Sequence, residues 1–242
     1  MSALLKVDGL SKSFGAIVVA DKTSFEVNEG AAIGILGPNG AGKTSLFNLI
    51  TGVLRSDAGS IHFDGQEITS VGAAGRCKLG IARSYQVPHP FVGMTVFENA
   101  LVAATEGASL RGHDAENHVI GVLEQTGLLP KANVRAGALT LLERKRLEMA
   151  RALAAKPKLL LLDEIAGGLT EAECGELIQT IQAVNESGTT IVWIEHVVHA
   201  LLAVVDHLIV IDFGKKISEG EPKKIMESAE VKEIYLGVDP DV

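Results

Sequence analysis

The chain is poor in cysteine, has no basic excess and contains no long apolar run, and each shortage removes a class of protein. Only two cysteines occur in 242 residues, Cys77 and Cys174, with no close partner and no metal-ligand spacing. That argues against a disulfide framework and fits a reducing compartment, with both thiols buried or inert. Lys and Arg total 22 against 30 acids, a net charge of −8. Nucleic-acid binders usually show the opposite balance, so no nucleic-acid partner is expected. No run reaches the roughly 18 apolar residues of a membrane span. The richest stretch, ALLAVVDHLIVIDFG, is broken by Asp206 and Asp212. The opening residues, MSALLKVDGLSKSF, lack a basic start followed by an apolar core, so no signal peptide is expected. A soluble, cytoplasmic protein is the expectation. Hydrophobic residues make up 47% of the chain, enough to bury the core of one large domain.

The pattern of that hydrophobicity changes along the chain. Leu4–Val7, Phe25–Val27 and Ile33–Leu36 read as strands, and SIHFDGQEI alternates around Asp64-Gly65 as a hairpin does. From Val87 to Leu142 the periodicity is helical. MTVFENALVAA opens on a Thr95-x-x-Glu98 capping box, and AENHVIGVLEQTGL puts Val119, Val122 and Leu123 on one face. KLLLLDE and TTIVWIEH then read as strands covered on both faces. Between them a second capping box, Thr170-x-x-Glu173, starts a helix bearing Ile178, Ile181 and Val184 and closed by Ser187-Gly188. These signals predict an α/β fold: a mixed-sheet core with an antiparallel β subdomain (1–86 and 143–242) and a helical insertion (87–142).

One stretch concentrates glycine where strand and helix formers surround it. In GILGPNGAGKTSLFNL, the segment Gly37-Pro38-Asn39-Gly40-Ala41-Gly42-Lys43-Thr44 fits the phosphate-binding loop pattern G-x-x-x-x-G-K-[ST], with Ser45 following. A strand precedes it and an apolar helix follows, as the pattern requires. Glycines let successive N–H groups curl around a triphosphate, and the helix N-terminus adds partial positive charge. Lys43 is placed to neutralise the β and γ phosphates, and the Thr44 hydroxyl to hold Mg²⁺. Some 120 residues on, LLLLDE brings Asp163 and Glu164 to the C-terminal end of a buried strand, where α/β sheets bind ligands. A carboxylate there orients the water shell of Mg²⁺, and its neighbour polarises an attacking water.

The order Phe14, phosphate loop, Gln86, Asp163-Glu164, His196 resembles the nucleotide-binding domain of ABC transporters over nearly the whole chain. The resemblance implies ATP and Mg²⁺ as cofactors, an adenine stacked on Phe14, and Gln86 sensing the metal and γ-phosphate. It implies Glu164 as general base and His196 as a γ-phosphate contact. It also implies a second ATPase subunit, identical or a close paralogue, two transmembrane permease subunits, and indirectly a solute-binding protein. The chain would sit on the inner face of the membrane through those permeases. The ending DFGKKISEGEPKKIMESAEVKEIYLG is most similar to the ATPases of branched-chain amino acid importers, with a glycine turn, two short strands and a final YLG helix. Lipopolysaccharide-export ATPases are an alternative, as is a nucleotide-dependent regulatory module with impaired turnover. Soluble ABC ATPases of DNA repair or translation carry paired cassettes or a long coiled-coil insertion, and neither is present.

The chain departs from the family at its signature loop. Where Leu-Ser-Gly-Gly-Gln is usual, it has Leu139-Thr140-Leu141-Leu142-Glu143. Thr140 and Glu143 form a third capping box, so the helix N-terminus and the Thr140 hydroxyl are expected to remain available to the partner's nucleotide. Leu141 and Leu142 both add bulk beside that phosphate. The run Arg144-Lys145-Arg146 reads as a solvated face, and VPHPFVGMTV (87–96), with Phe91, as the segment that docks a permease helix.

Overall fold

The computed structural model describes residues 3–236. Two antiparallel strands, β1 (Ala3–Phe14) and β2 (Ile17–Asn28), lead to β3 (Ala32–Leu36) and helix α1 (Lys43–Ile50). Strands β4 (Ala58–Phe63) and β5 (Gln66–Glu67), helix α2 (Ala73–Leu79) and strand β6 (Ile81–Ser84) follow. Helices α3 (Val96–Glu106), α4 (Gly112–Gln125) and α5 (Leu141–Ala154) come next. The chain then alternates through β7 (Leu159–Asp163), α6 (Glu171–Glu186), β8 (Thr190–Ile194), α7 (Val198–Leu202) and β9 (His207–Asp212). It closes on β10 (Lys215–Gly220), α8 (Pro222–Glu227) and α9 (Ala229–Leu236).

The strands form two sheets, ordered β2-β1-β4-β5 and β10-β9-β3-β8-β7-β6. The first is antiparallel throughout, and in the second only the β9–β10 pair is antiparallel. The period-2 alternation of a strand explains how the larger sheet divides the interior. Leu160, Leu162, Ile191 and Trp193 face a core shared with α3, α4, α5 and α6. Their neighbours Leu159, Leu161, Val192 and Ile194 face a second core made by α1 and the antiparallel sheet. The near-continuous apolar runs of β7 and β8 are thus strands covered on both faces, as expected. All three capping boxes form, at Thr95/Glu98, Thr140/Glu143 and Thr170/Glu173.

Two elements carry no strong periodic signal in the sequence. Helix α2 is short, and it is fixed by the buried Arg76, whose guanidinium donates to the Leu49 and Ile50 carbonyls (2.7 and 2.8 Å) at the end of α1 and to those of Val71 and Thr69 (2.8 and 3.0 Å). Strand β6 has only four residues, one of them Arg83. The expected strands near the N-terminus are longer than their apolar cores, because β1 and β2 continue into an exposed ribbon ending at Phe14 and Ile17. The chain end holds two helices, α8 and α9, after the β9–β10 pair. Gly237, which closes the expected YLG helix, lies outside the described residues.

Candidate functional site

The loop 37–42 joins the buried strand β3 to α1, and its glycines have separable causes. A Cβ on Gly37 would lie 2.2 Å from the Ile211 carbonyl oxygen, and one on Gly42 2.3 Å from that of Val19. Gly40 has open space, but its φ of +84° is left-handed. Lys43 is buried and folds back over the loop, donating to the Gly37 and Pro38 carbonyls at 2.7 and 3.0 Å. Burial pulls its pKa down, against the upward pull of Glu164, Asp163 and Glu195. Helices α3, α5 and α6 close their N-termini with capping boxes, whereas α1 has no side-chain cap and no acid in its first turn. Its N–H donors are left for an anion.

The opposite wall comes from the C-terminal ends of β6, β7 and β8. Gln86 Nε2 donates to Glu164 Oε2 at 2.5 Å. Together with Asn39 to Ser45, Ile17 and Val19, these two residues line a cleft of about 570 Å³. Glu164 has a left-handed φ of +46°. Its peptide is held at both ends: the N–H donates to the Ile194 carbonyl at 2.8 Å, and its carbonyl lies 3.5 Å from the Lys145 ammonium. His196 Nδ1 lies 3.7 Å from Glu164 and 3.3 Å from Glu195.

Asp163 is buried beneath this wall. Its Oδ2 accepts from Arg83 at 2.5 Å, while Oδ1 is buried with no partner among the described residues. A buried carboxylate oxygen without a partner is costly. A hydrated Mg²⁺ would satisfy it, and the donor set fits that ion: a carboxylate, the Gln86 amide and the Thr44 hydroxyl, all oxygen donors. Phe14 is 51% exposed at the end of the β1–β2 ribbon with the Lys12 ammonium 5.4 Å from its ring, and it does not line the cleft. Thr140 does not line it either, and caps α5.

Three side chains matter more than their sequence context suggests. Arg83 ties β6 to Asp163 and, at 2.6 Å, to Asn48 of α1. A charged residue directly after the apolar Ile81-Ala82 pair of a short strand is the signal that could have singled it out. Glu195 is fully buried, and its place at the end of a buried strand is a similar signal. Lys145 corrects the solvated reading of Arg144-Lys145-Arg146: it points inward and is buried, and desolvation lowers its pKa against the pull of Glu195 and Glu164. At the signature loop, Leu141 is 45% exposed but Leu142 is buried in the helical core, so only Leu141 offers bulk outward.

Comparison with known proteins agrees with this geometry. The ABC transporter family profile matches residues 20–167. The chain is 32% identical over 249 residues to the high-affinity branched-chain amino acid transport ATP-binding protein BraF of Pseudomonas aeruginosa, spanning 97% of this chain and 98% of that one. It is also 32% identical over 235 residues to the lipopolysaccharide export system ATP-binding protein LptB of Haemophilus influenzae, with the same shares covered. The fold superposes on the crystal structure of a nucleotide-free ATP-binding cassette from an ABC transporter with a TM-score of 0.90, at 30% identity, over 98% of this chain and all of that one. The uncapped phosphate loop facing a glutamate, on a mixed sheet shared with these cassettes, places the chain in the ABC transporter family as an ATP-binding subunit.

Proposed function

We propose that this chain hydrolyses ATP at the cleft between the phosphate loop and Glu164 to power a transporter, an importer of branched-chain or other hydrophobic amino acids. The observation that carries the hydrolytic reading is Glu164: its carboxylate stands on the wall opposite the loop, on a backbone held at both its N–H and its carbonyl. In this reading Lys43 leaves the loop carbonyls for the β and γ phosphates, and the free N–H groups of α1 take the remaining oxygens. Glu164 accepts the proton of the attacking water, and Gln86 orients that carboxylate. Mg²⁺, held by Asp163, Thr44 and Gln86, would offset phosphate charge. Phe14, exposed as an aromatic platform, takes the adenine, and His196 contacts the γ-phosphate. Thr140 serves the site of a second subunit.

Two features support a transporter role. No helix among the described residues is long and apolar enough to cross a membrane, and in this reading the passage is formed by permease partners. A groove of about 630 Å³ runs between the core and the helices, lined by Tyr85, Phe91, Val102 and Arg151 among others. It adjoins the 87–96 segment, which Asn99 pins through the Phe91 backbone (2.8 and 3.1 Å) and Glu148 and Arg151 pin through that of His89 (2.9 and 3.0 Å). A permease's cytoplasmic helix seated there would feel movement of Gln86 through its neighbour Tyr85, which lines the groove. The branched-chain amino acid reading draws support from the likeness to BraF.

Glu164→Gln tests the hydrolytic reading. It should keep ATP affinity, slow turnover severely and trap an ATP-bound dimer visible by size-exclusion chromatography. Near-normal turnover would remove Glu164 from the mechanism. For the transporter reading, the chain should fractionate with membranes only when its permease partners are present; retention without them sinks it.

A further inference from the structure

We propose that Glu195 is a positioning residue for hydrolysis, one carboxylate that holds both His196 and the turn after Glu164. It is fully buried, where an ionised carboxylate persists only with hydrogen-bonded partners. Three backbone N–H groups supply them: Ala166 donates to Oε2 at 2.9 Å, and His196 and Val197 donate to Oε1 at 3.0 and 3.3 Å. The two ends of the carboxylate therefore hold two separate loops, the one carrying Glu164 and the one carrying His196.

The same Oε1 lies 3.3 Å from His196 Nδ1, and Glu164 Oε2 lies 3.7 Å from that nitrogen. Two buried lysines feel the Glu195 charge and both are turned to carbonyls, Lys145 to that of Glu164 and Lys43 to those of Gly37 and Pro38. Two carboxylates beside Nδ1 favour the tautomer that carries the proton on that nitrogen. Nε2 is left as an acceptor on a ring 53% exposed, so it meets a phosphate oxygen through a water that donates to both. Glu195 thus acts through His196 and the backbone, without touching nucleotide.

This inference rests on the ATPase reading for its catalytic consequence, but the hold on His196 is measurable without nucleotide. In ¹⁵N-histidine-labelled protein, with the resonance identified by its loss in His196→Gln, wild type should show the Nδ1–H tautomer. In Glu195→Leu the Nδ1 side keeps only the more distant Glu164, and the population should move toward Nε2–H. The same variant should lose about 10–100-fold in kcat while KM for ATP changes less than about threefold, the split expected when an orienting partner is removed. An Nε2–H tautomer in the wild type overturns the proposal, whether or not the variant folds. So does a folded Glu195→Leu with unchanged kcat. Absent ATP turnover in a wild type showing Nδ1–H would fall on the ATPase reading instead.

Discussion

Lys131 and Glu143 are ion-paired at 2.5 Å across the start of α5, and the other oxygen of the same carboxylate accepts the Thr140 N–H at 2.9 Å. The Lys131 ammonium and the Thr140 N–H hold the Glu143 carboxyl below its usual pKa. The negative charge that replaces the family's glutamine is therefore folded back onto its own helix and neutralised by a neighbour.

The first prediction follows from that pairing. In a Glu164→Gln background, Lys131→Ala should weaken ATP-dependent dimerisation, because Glu143 would then face the partner's γ-phosphate unpaired. Adding Glu143→Gln should restore it. Dimer affinity by analytical ultracentrifugation decides, and equal affinity in all three chains removes Glu143 from the closure step. Restoring the family's glycine at 142 is a poorer test than the sequence alone suggests. Leu142 is buried, and removing its side chain should cost at least about 2 kcal/mol of stability.

Lys43→Ala should weaken ATP binding by roughly 1.5–3 kcal/mol for each charge-assisted hydrogen bond to phosphate that it removes. Its melting temperature should not fall, because the buried amine is held at a desolvation cost. Calorimetric titration with ATP reads the first expectation, and unchanged affinity would contradict the assignment of this lysine.

Arg83→Met should destabilise the fold by about 3–5 kcal/mol, since it strands Asp163 as a buried, unpaired carboxylate. Adding Asp163→Leu should return part of that loss. Urea melts of the two single variants and the double close the cycle, and simple additivity would mean the pair is not coupled.

The capping boxes set an acid limit. Backbone N–H donation from Thr95 and Thr170 lowers the Glu98 and Glu173 pKa values beneath the ordinary 4.5, and the Lys131 pairing does the same for Glu143. Below 4.5 the unfolded chain takes up protons first, so this stabilisation is complete above that pH and is lost as pH falls through the lowered values. A triple Glu→Gln variant should show a flatter dependence of melting temperature on pH there. A slope equal to wild type would refute the assignment.

Much of this was legible in the sequence because it is local. The phosphate loop, the three capping boxes and the two doubly covered strands depend on residues within a few positions of one another, and all are present. What escaped is set by interactions across the chain. The inward turn of Lys145 depends on where α5 meets the Glu164 backbone, 19 residues on. Arg83 owes its role to Asp163, 80 residues away, and α2 exists where Arg76 can reach the end of α1. No periodicity encodes those distances.

The left-handed backbone at Glu164 has a consequence for anyone improving this protein by selection. A non-glycine residue in that conformation carries about 1 kcal/mol or more of strain, which glycine would relieve. A library sorted only for heat resistance should therefore drift toward glycine at position 164, and under the role proposed for Glu164 each such clone would be a sturdier cassette with crippled turnover.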